Sequence, residues 1–243
     1  MKELDYRITS NRRIADRVFE LRLLGDTSAI TAPGQFVNLK LDGCYLRRPI
    51  SVCNCEPGEL TLIYKVVGSG TKILSRMEPG HTVNTLAGLG NGFDVSAGGQ
   101  SPLLIGGGVG VPPLYLLCRR LTEAGAVPTV LIGFNTASEV FYAEQFEALG
   151  ARVLVTTADG SRGKKGFVTD AVGGLEYTYF YACGPEPMFR ALDAVLTTPG
   201  EFSFEARMGC GFGACMGCSC KTKYGYKRIC RDGPVMKREE IIW

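Results

Sequence analysis

Cys210, Cys215 and Cys218 are spaced by four and two residues, and Cys230 follows after eleven more. Four thiolates in a C-x4-C-x2-C…C pattern are what a plant-type [2Fe–2S] cluster needs. Gly209, Gly211, Gly213 and Gly217 interleave them, so a loop wrapped round a compact anion can turn its N–H groups inward and accept positive φ. The competing chemistry is a zinc knuckle, whose usual paired C-x2-C spacing is absent. Cys220 completes an alternative set of four. The distant Cys230 fits the plant-type pattern and leaves Cys220 as a packed neighbour.

Two further constellations suit nucleotides. The run Gly106-Gly107-Gly108-Val109-Gly110-Val111-Pro112-Pro113 follows the apolar Leu103 to Ile105 and precedes a helical stretch. Glycine lets the backbone approach a pyrophosphate, and a helix N-terminus supplies free N–H groups. The spacing is not G-x-G-x-x-G, so an ordinary Rossmann fingerprint is not met. Cys183-Gly184-Pro185 ends a later apolar strand, at the carboxyl edge where open α/β sheets bind ligands; paired with the Gly-rich loop it reads as a nicotinamide pocket. In the first third of the chain stand Arg48-Pro49-Ile50-Ser51, Ile63-Tyr64-Lys65 and Gly70-Thr71. An Arg offers a fork for phosphate, a Tyr a stacking face, and Gly-Thr at a helix start N–H donors to a second phosphate. The combination suits FAD, although an RRP string alone is an ordinary solvated turn. Gly133 to Thr136, where 2′-phosphate discrimination often occurs, lacks a basic residue, which favours NAD over NADP.

The elements that must position these residues follow from hydrophobic period. Short alternating runs at 6–9, 17–24, 35–41, 49–54, 60–67 and 82–87, separated by Pro-Gly and Asp-Gly turns, predict an N-terminal antiparallel β-barrel, with a helix at 71–77. Beyond Gly98 the pattern becomes βαβ. Strands at 102–105, 129–133, 151–156 and 178–182 alternate with helices near 113–124, 138–149, 168–172 and 187–196, which predicts an α/β doubly wound parallel sheet. After a last strand at 201–205, the segment Cys210 to Cys230 is expected to have little regular structure. The expected domains are 1–97 (FAD-binding barrel), 98–203 (NAD-binding α/β) and 204–243 (small C-terminal [2Fe–2S] segment).

Bulk properties narrow the class. The chain has 243 residues, 45% of them hydrophobic, enough for about two packed domains. No apolar run of about 18 residues is present and the first residues lack the apolar core of a signal peptide, so a cytoplasmic location is expected. Ten cysteines among cellular reductants then point to cluster ligation rather than disulfides. A net charge of +3 is too small to argue for nucleic acid, and from Ser203 onward eight Lys/Arg stand against four Asp/Glu. That basic tail is either a solvated face, a docking surface for an acidic partner, or compensation for an anionic cluster. His81, the one histidine, lies in a Pro-Gly-His turn and supports neither a hydrolase nor a His metal site.

The strings RPIS at 48–51, GT at 70–71, GGGVGVPP at 106–113 and CGPEPM at 183–188 resemble the ferredoxin reductase superfamily, in its order of flavin barrel and then nucleotide domain. The tail at 208–235 narrows the resemblance to the electron-transfer subunits of type B (NAD-dependent) dihydroorotate dehydrogenase. The resemblance implies FAD at Arg48 to Ser51, Ile63 to Lys65, Gly70 and Thr71, the cluster at the four cysteines, and NAD at Gly106, Gly107, Gly108, Gly110, Gly184 and Pro185. It also implies an FMN-containing dihydroorotate dehydrogenase catalytic subunit as partner, in a heterotetramer of two chains each, in the synthesis of UMP. Ser51 is expected to hydrogen-bond near the flavin ring and Cys183 to line the hydride path. The rivals are a related flavin and iron–sulfur NAD(P)H reductase serving sulfide, hydrogenase, sulfite or ferredoxin, and a zinc-stabilised binding module.

Overall fold

Alternation of apolar and polar residues over the first ninety positions closes into a barrel in the computed structural model, which describes residues 1–243. Its strands are β1 (Lys2–Ala15), β2 (Val18–Leu24), β3 (Phe36–Leu39), β4 (Arg48–Glu56), β5 (Glu59–Lys65) and β6 (Thr82–Leu89), in the order β1-β2-β5-β4-β3-β6. A period of two sorts β5: Leu60, Leu62 and Tyr64 enter the barrel interior, while Ile63 and Lys65 face the second lobe. In β4, Ile50 and Val52 turn inward, leaving Ser51 and Cys53 on the opposite side. The interior side chains are apolar and nearly waterless, and each Leu or Ile among them contributes roughly 1.5–3 kcal/mol. The short helix α1 (Ser69–Leu74) follows β5, its first turn closed by the Thr71 hydroxyl, which accepts N–H of Val67 at 3.0 Å and of Gly68 at 3.2 Å.

The second lobe runs β7 (Leu103–Gly107), α2 (Pro113–Glu123), β8 (Thr129–Phe134), α3 (Ala143–Ala148), β9 (Arg152–Thr157), β10 (Lys164–Lys165), α4 (Thr169–Val172), β11 (Phe180–Cys183), α5 (Glu186–Val195) and β12 (Gly200–Ser203). Beyond it come β13 (Ser219–Thr222), β14 (Gly225–Arg228) and β15 (Val235–Lys237). The sheet order is β10-β9-β8-β7-β11-β12-β15, parallel except for β15. Helices α2 and α3 cover one face and α4 and α5 the other, so the sheet is doubly wound. Leu114, Leu117, Cys118 and Leu121 of α2 share the core on that face of the sheet, whereas Leu116 joins the barrel core and Arg119 donates to the Cys55 carbonyl at 2.8 Å. This helix is therefore clamped between the two lobes.

Two expectations need correction. The helix expected at 138–149 is only α3; a 3-10 turn covers Ala137–Glu139, Val140 and Phe141 dive into the core, and Tyr142, at φ 65°, resets the chain before α3 begins. The segment Cys210 to Cys230 is not irregular throughout: β13 and β14 form a hairpin whose turn is held by Thr222 Oγ1 donating to the Gly225 carbonyl at 2.8 Å. Polar residues on both faces of that hairpin hide the period of two. The tail also shares a core with the barrel, where Cys218, Ile229, Cys230 and Met236 pack on Phe36 and Leu89.

Candidate functional site

The cysteine loop stands where the tail meets the barrel. Backbone hydrogen bonds set Cys215 beside Cys210 and Cys230 beside Cys218. The Cys215 N–H points at Cys210 Sγ and the Cys230 N–H at Cys218 Sγ, both at 3.4 Å. Two thiolates for each of two irons is the demand of a [2Fe–2S] cluster. Burial opposes ionisation of Cys210, but N–H groups of Cys215, Phe212 and Ala214 together with the Cys215 thiol outweigh it and bring Cys210 down to about 6. A methyl at Gly209 would lie 3.2 Å from Cys215 Sγ, so the loop has room for sulfur and little else. Cys220 lies on β13, opposite Lys227, and packs beside Cys218 and Cys230. The donor set and its inward N–H groups fit the cluster.

The flavin strings converge on the barrel's outer edge. The Arg48 guanidinium lies over Gly70, where a methyl would sit 2.1 Å from Nε, and Nη1 donates to the Leu46 carbonyl. The fork thus adjoins the first turn of α1, whose leading N–H groups have no intrahelical acceptor. Cation and N–H donors in one corner fit a diphosphate. Ile63 and Lys65 face the second lobe, Pro49 and Ser51 lie in register with Asn38 and Phe36 on the neighbouring strand, and the Ser51 hydroxyl engages no other group of the chain. Two residues of these strings turn their side chains away from that face. Tyr64 is buried, its ring stacked on Phe19 (centroids 5.7 Å apart) and its hydroxyl donating to Asn11 Oδ1 at 3.0 Å, so it offers no stacking face. Ile50 likewise packs on the barrel interior. Strand alternation is the reason in both cases.

The nucleotide strings meet at the point where strand order reverses, between β7 and β11, with Gly106 opposite Cys183 in register. A methyl at Gly110 would lie 2.2 Å from the Cys183 carbonyl oxygen, and one at Gly107 2.6 Å from Met188 Sδ. Only glycine lets the loop lie directly on the Cys183-Gly184-Pro185 turn. Cys183 is buried, and burial pushes its thiol up to about 12 against a hydrogen bond with Ser203. Ser51 and Cys183 stand on facing lobes and share no hydrogen bond.

Residues 205–242 match the family model described as the iron–sulfur cluster binding domain of dihydroorotate dehydrogenase B, and 104–194 match the oxidoreductase NAD-binding domain. The chain is 44% identical to the dihydroorotate dehydrogenase B (NAD(+)) electron transfer subunit of Bacillus pumilus, covering 99% of this chain and 98% of that one. The chain belongs to this family. A second electron transfer subunit of dihydroorotate dehydrogenase B, from Geobacillus sp. (strain WCH70), is 41% identical over 100% of this chain and 99% of its own. Among solved structures, that of an NADH-dependent reduced ferredoxin-NADP oxidoreductase, described for flavin-based electron bifurcation, superposes with a TM-score of 0.89 at 31% identity, over 98% of this chain and 90% of that one. A flavohemoglobin from Malassezia yamatoensis shares the fold at TM-score 0.69 and 15% identity, over 80% of this chain and 56% of that one.

In this electron-transfer subunit three residues that the sequence did not single out hold the sites together. Glu139 takes Lys65 Nζ on one carboxylate oxygen at 2.9 Å and the Asn135 amide on the other at 2.9 Å, joining the flavin strand to the loop after β8. The Lys65 hydrogen bond chiefly holds its carboxyl below the usual range. Arg228 Nη1 donates to the Gly213 carbonyl at 3.0 Å and pins the cysteine loop. Asn38 donates to the Cys210 carbonyl at 3.3 Å from inside the barrel wall. For Asn38 a signal existed: an amide in the middle of an otherwise apolar strand, FVNL. His81 is exposed, with Nδ1 against the Glu78 carbonyl at 2.9 Å.

Proposed function

We propose that this chain takes electrons from the FMN of a catalytic subunit that oxidises dihydroorotate, and passes them by way of a [2Fe–2S] cluster and FAD to NAD+, as a step in pyrimidine biosynthesis. The observation that carries this reading is that the segment matched to the iron–sulfur domain of dihydroorotate dehydrogenase B is the one in which the Cys215 N–H meets Cys210 Sγ and the Cys230 N–H meets Cys218 Sγ. When bound, the cluster exchanges single electrons, NAD accepts a hydride, and a flavin handles both, so FAD converts one into the other.

The residues divide the work. Cys210, Cys215, Cys218 and Cys230 hold the cluster. Arg48 and the first-turn N–H groups of Gly70 and Thr71 hold the FAD diphosphate, while Pro49, Ser51, Ile63 and Lys65 line the flavin face. Gly106, Gly107, Gly108 and Gly110 admit the NAD diphosphate, and Gly184 and Pro185 shape the nicotinamide end. Ser51 directs a hydrogen bond at the flavin ring. Cys183, protonated at neutral pH, shapes the hydride path by its bulk and not as a base. The division into 1–97, 98–203 and 204–243 follows the same lines, with the third unit lending β15 to the sheet of the second.

The catalytic partner docks on the cysteine segment, where Phe212 and Met216 are exposed beside the exposed Cys215, in a heterotetramer of two chains each in the cytoplasm. No helix is long and apolar enough to cross a membrane. The test is anaerobic co-purification with an FMN-dependent dihydroorotate-oxidising chain, followed by NAD+ reduction driven by dihydroorotate. Activity that requires both chains and vanishes with Cys215→Ser is the expected result. A chain that oxidises NADH with dyes but never couples to dihydroorotate sinks the pyrimidine role. It would favour the second reading, a ferredoxin-linked reductase, for which the 31% identical oxidoreductase structure speaks.

A further inference from the structure

Asn38 occupies a strand of four buried residues, is 1% exposed itself, and places its amide against the cysteine loop. Its Nδ2 donates to the Cys210 carbonyl at 3.3 Å. No other side chain of the barrel hydrogen-bonds residues 209–218. The fit is close from the loop's side too: Gly211 has φ 80°, and a methyl there would lie 2.4 Å from Asn38 Nδ2. On its other side Asn38 pairs in register with Pro49, between Arg48 and Ser51 of the flavin motif, and its backbone carbonyl accepts a hydrogen bond from Arg47 Nη1 at 3.4 Å. One residue therefore touches the backbone of a cluster ligand and the strand of the flavin motif.

The energetics show that the amide is not there for the barrel's sake. Asn38 Oδ1 is buried without a partner, and an unsatisfied buried acceptor is destabilising. A leucine, branched at Cγ in the same way, would remove the unpaired acceptor and restore the apolar run Phe36-Val37-x-Leu39. The use of the amide lies in what Nδ2 holds.

We propose that Asn38 is a positioning residue for electron transfer: it clamps the backbone of Cys210 to the strand pair that carries the flavin motif and so fixes the gap between cluster and flavin. This rests on the flavin and cluster reading given above. Electron exchange between two centres weakens steeply when a gap opens in the packed path, whereas hydride exchange at the other side of the flavin does not depend on that path. Loss of the Asn38 amide should separate the two.

The test uses the full chain carrying FAD and cluster, mixed rapidly with NADH, which gives two electrons as a hydride to the flavin, one of which then passes to the oxidised cluster. In Asn38→Leu the bleaching of flavin keeps its rate, the later reduction of the cluster slows about tenfold, the equivalent of one hydrogen bond, and the electron paramagnetic resonance g values of the dithionite-reduced cluster shift. Should that variant not fold, Asn38→Asp, which keeps the shape and loses the donor, must give the same separation. The control is Asn91→Ala, which removes the amide that grips Val235 (2.7 and 3.0 Å) and loosens the tail without touching Cys210. It should leave both signals in place. Unchanged signals in the Asn38 variants, or the same changes in Asn91→Ala, overturn the proposal. A wild-type chain without flavin or cluster would overturn the functional reading itself, and this inference with it.

Discussion

Ligand choice at Cys218 turns on a few ångströms of backbone. Cys220 is two residues away in sequence but lies on the hairpin strand β13, while Cys230, twelve residues on, directs its N–H at Cys218 Sγ from 3.4 Å. The expected outcome is that Cys220→Ser keeps the visible absorption of a [2Fe–2S] cluster and Cys230→Ser loses it. Retained absorption in the second variant would reverse the assignment. Tyr64 gives the complementary case, a residue whose ring is buried inside the barrel. Tyr64→Phe removes one hydrogen bond to Asn11 and should lower unfolding free energy by about 0.5–1.5 kcal/mol in urea titrations, with FAD affinity unchanged. Weakened FAD binding at unchanged stability would place Tyr64 back at the flavin.

At the scale of elements, β12 carries a conflict. Glu201 is 4% exposed, and burial pushes its carboxyl up to about 7 although it accepts the Asp94 N–H at 3.0 Å and faces Lys237 of β15. The folded chain then binds a proton at Glu201 that the unfolded chain has released between about pH 4.5 and 7, so stability falls as pH rises through that window and the cost is complete above it. Glu201→Gln keeps an acceptor for Asp94 and removes the charge. It should be nearly neutral at pH 4.5 and stabilise by about 3 kcal/mol at pH 8, read from denaturant midpoints at the two pH values. A variant equally neutral at both pH values would show that the buried carboxylate finds compensation on ionising.

For the whole molecule, the three units are not separable at will. β15 belongs to the tail in sequence and to the α/β sheet in space, and Cys218, Ile229, Cys230 and Met236 cover Phe36 and Leu89 of the barrel. Cutting the chain before residue 204 therefore uncovers both a sheet edge and an apolar patch. Such a truncation is expected to aggregate in light scattering at micromolar concentration, whereas full-length Cys215→Ser stays monodisperse. A soluble truncation that still reduces dyes with NADH would show the first two units to be self-sufficient.

The sequence by itself determined the order of barrel, doubly wound sheet and cysteine loop, because hydrophobic period and glycine placement are local properties of the chain. It also marked the four thiols and the glycines of the nucleotide loop, whose chemistry is carried by residue type and spacing. Tertiary structure decided what depends on direction and on distant neighbours. Strand pleat turns Ile63 and Lys65 toward the second lobe and Tyr64 and Ile50 into the barrel. Chain reversal at β15 welds the tail to the sheet. Contacts across 172 positions of sequence set Asn38 against Cys210. No local pattern encodes such a contact, since it exists only once the barrel has closed and the tail has packed against its wall.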